Sequence, residues 1–312
     1  MRIRPLLDWT PEATPGSSPA SPTAPRLAAP PAASPDHAAA PGLDQVESIL
    51  AGRGVVVLSG AGLSTESGIP DYRGATGSLR RHTPMTYQDF VGTEDARRRY
   101  WARSHLGWRT IARARPNAGH HAVAALAAAG TVSGVITQNV DGLHHAAGTA
   151  DAIELHGSLD RVICLACRRT SPREELDVRL RAANPDFQDA STRINPDGDV
   201  ELADEAVTGF HTVPCDACGT GILKPDVVFF GENVPKPRVE QCYGLVDDAR
   251  ALLVLGSSLT VMSGLRFVKY AAKNAKPVVI INQGQTRGDS YAAVRVDVPL
   301  GPALTWLAER VR

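Results

Sequence analysis

The chain has 312 residues, 43% of them hydrophobic, with 33 basic and 33 acidic side chains and so no formal net charge. That length buries a sizeable core, as one large domain with an insertion or as two domains, while zero net charge removes any bulk attraction to nucleic acid or to an anionic membrane. No apolar run reaches the roughly 18 residues of a spanning helix, and no apolar segment of a signal peptide follows Arg2 and Arg4; the expectation is a cytoplasmic protein with no direct nucleic-acid partner and no membrane contact, its oligomeric state left open.

Residues 1–41 hold 10 of the 23 prolines among many Ala and Ser, as in Ala28-Ala-Pro-Pro-Ala-Ala-Ser-Pro35. Such a stretch buries too little apolar surface to offset the ordering of its backbone, so it is read as a disordered tail. Asp8, Glu12, Asp36 and the prolines argue against an amphipathic transit helix. A helix is predicted over 43–51, then a buried strand over the apolar run 55–58, closed by Ser59.

That strand empties into Gly60-Ala-Gly-Leu-Ser-Thr-Glu-Ser-Gly-Ile-Pro-Asp-Tyr-Arg73. Glycines 60 and 62 leave no Cβ between backbone and ligand, so the N–H groups of the turn and of the helix expected after it can face an anion, a dinucleotide first of all. The spacing departs from the dehydrogenase fingerprint, because Glu66, Ser67 and Gly68 follow where a third glycine would stand at 65. A plain strand-turn-helix explains the glycines equally well, but it does not require the polar tail Asp71-Tyr72-Arg73.

Residues 74–90, polar and without period, read as a mobile loop over the site. Helices are predicted over 93–114 and 120–129, and a strand over 132–137. After the insertion 156–222 come strands at 251–255, 278–281 and 293–296 and helices at 264–276 and 303–311. Apolar runs alternating with helical patterns predict an α/β fold, a parallel sheet with crossover helices.

Four of the five cysteines form two pairs, Cys164-x-x-Cys167 and Cys215-x-x-Cys218, 47 residues apart. Two residues between thiolates let one turn present both sulfurs to one tetrahedral ion, so a single structural zinc is the first reading; two disulfides are the competing one, disfavoured in a reducing compartment. Cys242 reads as an ordinary buried thiol, and Asp197-Gly-Asp199 as a solvated turn.

Strand 132–137 ends in Thr137-Gln-Asn-Val-Asp-Gly-Leu-His144, which sets Gln138, Asn139 and Asp141 at the carboxyl end of a parallel strand, where α/β sheets bind ligands. His156 stands at the boundary between sheet and insertion, the usual place for a cleft, and an imidazole there can act as general base. Lys224-Pro-Asp-Val-Val-Phe-Phe-Gly-Glu232 reads either as one more core strand or as an edge that pairs with an extended peptide. Gly256-Ser-Ser-Leu259 and Asn282-Gln-Gly284, each after a strand, repeat the logic of the first loop.

These motifs, in this order from about residue 43 to 312, resemble the sirtuins, NAD-dependent protein deacylases. The resemblance implies a Rossmann-like NAD-binding domain with helices on both sheet faces, made of 42–155 and 223–312 with 74–115 as cofactor loop and helical part, plus a small zinc-binding domain over 156–222. It implies NAD as co-substrate and acyl-lysine proteins or peptides as partners. Gly60, Ala61 and Gly62 would hold the pyrophosphate, Ile69 and Asp71 the nicotinamide amide, and Arg73 would order the cofactor loop. Gln138, Asn139 and Asp141 would line the nicotinamide ribose, Asn139 with a catalytic role, and Gly256, Ser257 and Ser258 would meet phosphate and ribose. Asn282 would take the adenosine ribose and the backbone near Leu300 the adenine, with Ser64, Tyr72, Val140, Gln283 and Gly284 completing the cofactor contacts. Val228, Phe229 and Phe230 would contact the substrate.

In the family mechanism the acyl oxygen attacks the anomeric carbon of NAD and nicotinamide leaves. His156 would then deprotonate a ribose hydroxyl, the acyl group departing as O-acyl-ADP-ribose. Tyr100-Trp-Ala-Arg103, Pro116-Asn-Ala-Gly-His120, Pro196-Asp-Gly-Asp-Val200 and Gly256-Ser-Ser-Leu-x-Val-x-Ser-Gly264 further resemble the class II branch that includes the lipoamidase-type sirtuin. Arg80, Arg81, Arg103 and Arg109 are candidates for an acidic acyl chain, with solvated surface as the plainer reading. The rival functions are protein mono-ADP-ribosyl transfer at the same site and an NAD-sensing module with little catalysis.

Overall fold

The computed structural model describes residues 41–74, 84–187, 195–200, 202 and 207–311. The tail over 1–40, Arg80 and Arg81 lie outside the described residues.

In chain order the elements are α1 (Leu43–Ala51), β1 (Val55–Ser59), α2 (Tyr87–Gly92), α3 (Glu94–Arg113), α4 (Ala118–Ala128), β2 (Val132–Thr137), α5 (Leu143–Ala146), β3 (Ile153–Glu154) and β4 (Gly157–Cys164). There follow β5 (Thr170–Pro172), α6 (Arg173–Ala183), β6 (Leu223–Val227), α7 (Lys236–Asp248), β7 (Ala251–Leu255), α8 (Met262–Lys273), β8 (Val278–Ile281), β9 (Val294–Val296) and α9 (Leu300–Arg310). Among the described residues, six strands form one sheet in the order β3-β2-β1-β7-β8-β9, parallel throughout. The order reverses between β1 and β7, which opens a crevice at the carboxyl ends of these two neighbours.

The central strands are continuous Val/Leu/Ile runs because both faces of the sheet are covered. Every residue of β1, β7 and β8 is buried. Side chains alternate between layers: Val55 and Val57 pack in one layer with Val46 of α1, Val123 of α4 and Leu304 of α9, while Val56 and Leu58 pack in the other with Val246, Leu265 and Phe267 of α7 and α8. No described helix is long and apolar enough to cross a membrane.

A second, three-stranded antiparallel sheet, β5-β4-β6, holds the segment after His156. Residues 223–227 therefore are a strand, but of this small sheet and not of the large one. Of the loop expected over 74–90, residues 75–83 lie outside the described residues, and the last four residues, from Tyr87, are helical instead. Thr86 accepts from Asp89 N–H at 3.1 Å while the Asp89 carboxylate takes the Thr86 N–H at 3.2 Å, a capping box that starts α2 at Tyr87.

Candidate active site

One cavity of about 770 Å³ runs along the carboxyl edge of the sheet and under the small module. Its wall brings together nearly all the predicted positions: Gly60, Ala61, Gly62, Ser64, Ile69, Asp71, Tyr72, Arg73, Gln138, Asn139, Val140, Asp141, His156, Val228, Phe229, Phe230, Gly256, Ser257, Ser258, Asn282, Gln283 and Gly284. Leu300 is not in that wall; it is buried at the start of α9, behind Gly256.

The glycine loops after β1 and β7 are interlocked. Gly60 N–H donates to Leu255 O at 2.9 Å and Gly62 N–H to Gly256 O at 2.8 Å. A Cβ on Gly60 would come within 2.8 Å of Gly256 O, and one on Gly62 within 2.9 Å of Gly256 Cα. Gly256 has φ +59°, and a Cβ there would stand 2.5 Å from Leu63 N. The missing Cβ atoms thus make room for the other loop as well as for a ligand. The helix expected after Gly60 is two one-turn 3₁₀ segments, Ala61–Leu63 and Thr65–Ser67, so the dipole of a long helix is not what the loop offers.

Beneath this cradle lies a buried polar network. Asn139 Nδ2 donates to Gly60 O at 3.1 Å and to Ser64 Oγ at 3.0 Å, and the Ser64 hydroxyl donates to Asp141 Oδ2 at 2.7 Å. Burial raises the Asp141 carboxyl above its ordinary range, against hydrogen bonds from Leu143 N–H and Ser64. Gln138 Nε2 reaches Ser257 Oγ at 2.8 Å, tying the β2 and β7 loops together. Asn282 Nδ2 donates to the carbonyls of Gln283 and Gly284 at 2.9 and 3.0 Å, which shapes the turn after β8.

His156 sits where sheet and small module meet. Its Nδ1 lies 2.9 Å from the Gln138 carbonyl oxygen and its Nε2 2.8 Å from Ser263 Oγ. Burial pushes its pKa down to about 4, the Gln138 carbonyl opposing and Arg238 and Arg266 adding to the fall. The ring is neutral at physiological pH, as a general base has to be.

The segment after β6 forms the other wall. Val228 N–H donates to His156 O at 2.7 Å and Phe229 N–H to Glu232 Oε2 at 2.9 Å. Both N–H groups are used within the chain, and the Phe229 carbonyl in turn accepts from Glu232 N–H at 3.0 Å, so the turn 229–232 is closed on itself. Phe229 packs against Tyr100 with centroids 5.2 Å apart, and Tyr72 meets Phe230 edge-on at 6.2 Å.

Tyr100, Asp197 and Asp199 are among the wall residues not expected there, so the turn at 197–199 is not solvated as predicted; Asp199 is 4% exposed. Burial, with Asp199 beside it, raises the Asp197 carboxyl well above the usual range. Arg103 and Arg109 do not reach the cavity wall: Arg103 donates to Leu202 O at 3.2 Å, and Arg109 lies 3.5 Å from Asp177. Ser263 stands in one of the sequence motifs but without a role there, and its one local signal is a hydroxyl shortly past Thr260, the last polar group of the β7 loop, with Val261 and Met262 between.

The four paired cysteines converge at one end of the small sheet, with all Sγ atoms within 4.8 Å of one another. Cys164 Sγ to Cys218 Sγ is 3.7 Å and Cys167 Sγ to Cys215 Sγ 3.8 Å. Bonds of about 2.3 Å to a tetrahedral zinc place sulfurs about 3.8 Å apart, whereas a disulfide holds them near 2.05 Å. The donor set fits a structural zinc and leaves no open position for substrate. Cys242 is buried on the inner face of α7, as expected.

A doubly wound parallel sheet whose glycine loops meet at the reversal of strand order, with a four-thiolate module folded over the opening, defines a class of nucleotide-dependent α/β enzymes. The Sir2 family model matches residues 60–263, and the chain belongs to this family. It is 60% identical over 313 residues to NAD-dependent protein deacetylase 1 of Streptomyces coelicolor, covering 100% of this chain and 97% of that one. With NAD-dependent protein deacetylase 1 of Mycobacterium avium it shares 49% identity over 272 residues, covering 86% and 95%. Among solved structures, a Sir2 variant with deacetylated p53 peptide and 3′-O-acetyl ADP ribose superposes with TM-score 0.68 at 29% identity, over 86% of this chain and 97% of that one.

Proposed function

We propose that this sirtuin is an NAD-dependent protein-lysine deacylase, with His156 as its general base and structural zinc in its small domain. The supporting observation is that one cavity is walled by the glycine loops, by the neutral imidazole of His156 and by Val228–Phe230. Bound NAD supplies the leaving nicotinamide and the ribose that takes up the acyl group.

The chain's own residues do the rest. Gly60, Ala61 and Gly62, with Gly256, Ser257 and Ser258, hold the phosphates; Asn282, Gln283 and Gly284 hold the adenosine end, and Ile69, Asp71, Tyr72 and Arg73 the nicotinamide end. Asn139 and Asp141, tied through Ser64, orient the ribose, with Gln138 and Val140 beside them. His156 Nε2 takes a ribose hydroxyl proton, and the Gln138 carbonyl on Nδ1 steadies the imidazolium so formed. Tyr72, Phe229 and Phe230 exclude water from the reacting centre.

The boundary expected after residue 222 moves to the end of β6, since that strand pairs with β4: the cofactor domain is taken as 42–155 and 228–312 and the small domain as 156–227. Tyr100-Trp-Ala-Arg103 and Pro196-Asp-Gly-Asp-Val200 support membership of the class II, lipoamidase-type branch, and a cytoplasmic setting suits four thiolates kept reduced.

Mass spectrometry of the enzyme with NAD and a panel of acyl-lysine peptides tests the reading. Deacylated peptide with O-acyl-ADP-ribose is expected; ADP-ribosylated protein in its place, or neither product, overturns it. His156→Tyr is expected to abolish deacylation and keep NAD binding, and undiminished turnover would remove His156 from its role.

A further inference from the structure

We propose that Ser263 is a stand-in for the substrate on the base: its hydroxyl occupies the lone pair of His156 Nε2 in the cofactor-free enzyme and yields that place to a ribose hydroxyl when NAD arrives. The inference rests on the reading of His156 as base.

The tautomer follows from the partners. Nδ1 faces a backbone carbonyl oxygen at 2.9 Å, which can only accept, so Nδ1 carries the hydrogen. Nε2 is then a bare acceptor, and Ser263 Oγ at 2.8 Å donates to it. Both ring nitrogens are thereby held, one by the β2 loop and one by the first turn of α8, and the ring has a fixed plane and tautomer before any ligand binds. Ser263 is 9% exposed and lines the same cavity as His156, so its hydroxyl stands where an incoming hydroxyl would otherwise find the lone pair.

A base cannot accept a second hydrogen on a lone pair already taken. For Nε2 to receive the substrate's proton, Ser263 has to rotate about its single χ1 bond, a side-chain hop that breaks no backbone contact. The hydroxyl does not serve as a helix cap that would hold it back, since the N-terminus of α8 has no side-chain cap. The other charged groups acting on the ring are Arg238 of α7 and Arg266 of α8; both are cationic and both favour neutral imidazole, as does a donor on Nε2. The serine hydrogen bond therefore mimics the productive contact without supplying a group that reacts.

The test is ¹⁵N NMR of histidine-labelled enzyme at pH 7, with the His156 signal assigned by its loss in His156→Tyr. In the free enzyme, Ser263→Ala is expected to move the Nε2 resonance toward that of an acceptor without a donor, while Ser263→Thr keeps the wild-type position. With saturating ADP-ribose, wild type and Ser263→Ala are expected to coincide, because the ribose hydroxyl then occupies Nε2 in both. In kinetics at the same pH, Ser263→Ala is expected to lower KM for NAD by roughly two- to tenfold, the worth of one hydrogen bond no longer displaced, with kcat retained. An unmoved free-state resonance, a difference that persists in the complex, or an unchanged or raised KM overturns the proposal. Failure of the NAD reading shows separately, in a glycine-labelled sample, as no ADP-ribose-induced shift of the Gly60 and Gly256 amides.

Discussion

Lowering the pH from 7 to 5 is expected to weaken the fold steeply through three histidines near the active site. Burial is the leading cause in each: His120 and His156 are pushed down to about 4 and His144 to about 3. An unfolded histidine titrates near 6.5. With the folded value depressed, the unfolded chain takes up protons that the native chain refuses, so stability is full above about pH 6.5 and falls as the pH drops toward the folded value. At pH 5 the ratio of the two binding terms is about 30 per histidine, or about 2 kcal/mol, against a small fraction of that at pH 7. Three such groups lose about 5 kcal/mol together, a large share of a typical total of about 5–15 kcal/mol. His105 acts in the same direction, while the raised carboxyls of Asp141 and Asp197 act in the opposite one. Urea unfolding followed by circular dichroism in half-unit steps from pH 7.5 to 5, with excess zinc present, measures the slope. His144→Gln, which removes one of the three titrations, is expected to reduce the histidine part of that slope by about a third. Stability that stays flat or rises between pH 7 and 5, or a variant with the wild-type slope, would refute the reasoning.

Three further outcomes can be checked directly. Gly256→Ala puts a Cβ 2.5 Å from Leu63 N at φ +59°, so the two cofactor loops must separate; calorimetry is expected to show NAD affinity down by about tenfold or more, and an unchanged Kd would contradict the interlock. Strong chelators are expected to release one zinc per chain and lower Tm, Cys218→Ser doing the same while Cys242→Ser keeps full zinc content; a chain with no bound zinc and no alkylatable thiols at 164, 167, 215 and 218 would be disulfide-bonded instead. Lys224, 3% exposed, is 3.0 Å from Glu232 Oε2 and also donates to the carbonyls of Pro225 and Val227, so Glu232→Ala removes its counter-charge and the acceptor of the Phe229 N–H and is expected to cost about 3 kcal/mol in urea unfolding; a loss under about 1 kcal/mol would mean that the pair is dispensable.

What can be read in the sequence divides by the range over which each constraint acts. Strands β1, β7 and β8 are covered on both faces and show as uninterrupted apolar runs, and two Cys-x-x-Cys pairs announce a shared ion however long the chain between them. Strand β4 is hidden, since Asp160 and Arg161 interrupt its apolar positions and its register slips between Gly157 and Val162; α7 is hidden too, with Pro237 in its first turn and Gly244 inside it. The active site shows the same division. Gly60 can be recognised as a position that tolerates no Cβ, but the atom that forbids one is Gly256 O, nearly two hundred residues away. Likewise Ser263 carries no strong local mark, and its meaning lies in the 2.8 Å to His156 that the packing of α8 against the sheet creates. Local chemistry thus names which residues can hold a dinucleotide or take a proton, whereas the contacts that set each of them in place belong to the crossover topology, which brings β1, β2 and β7 side by side.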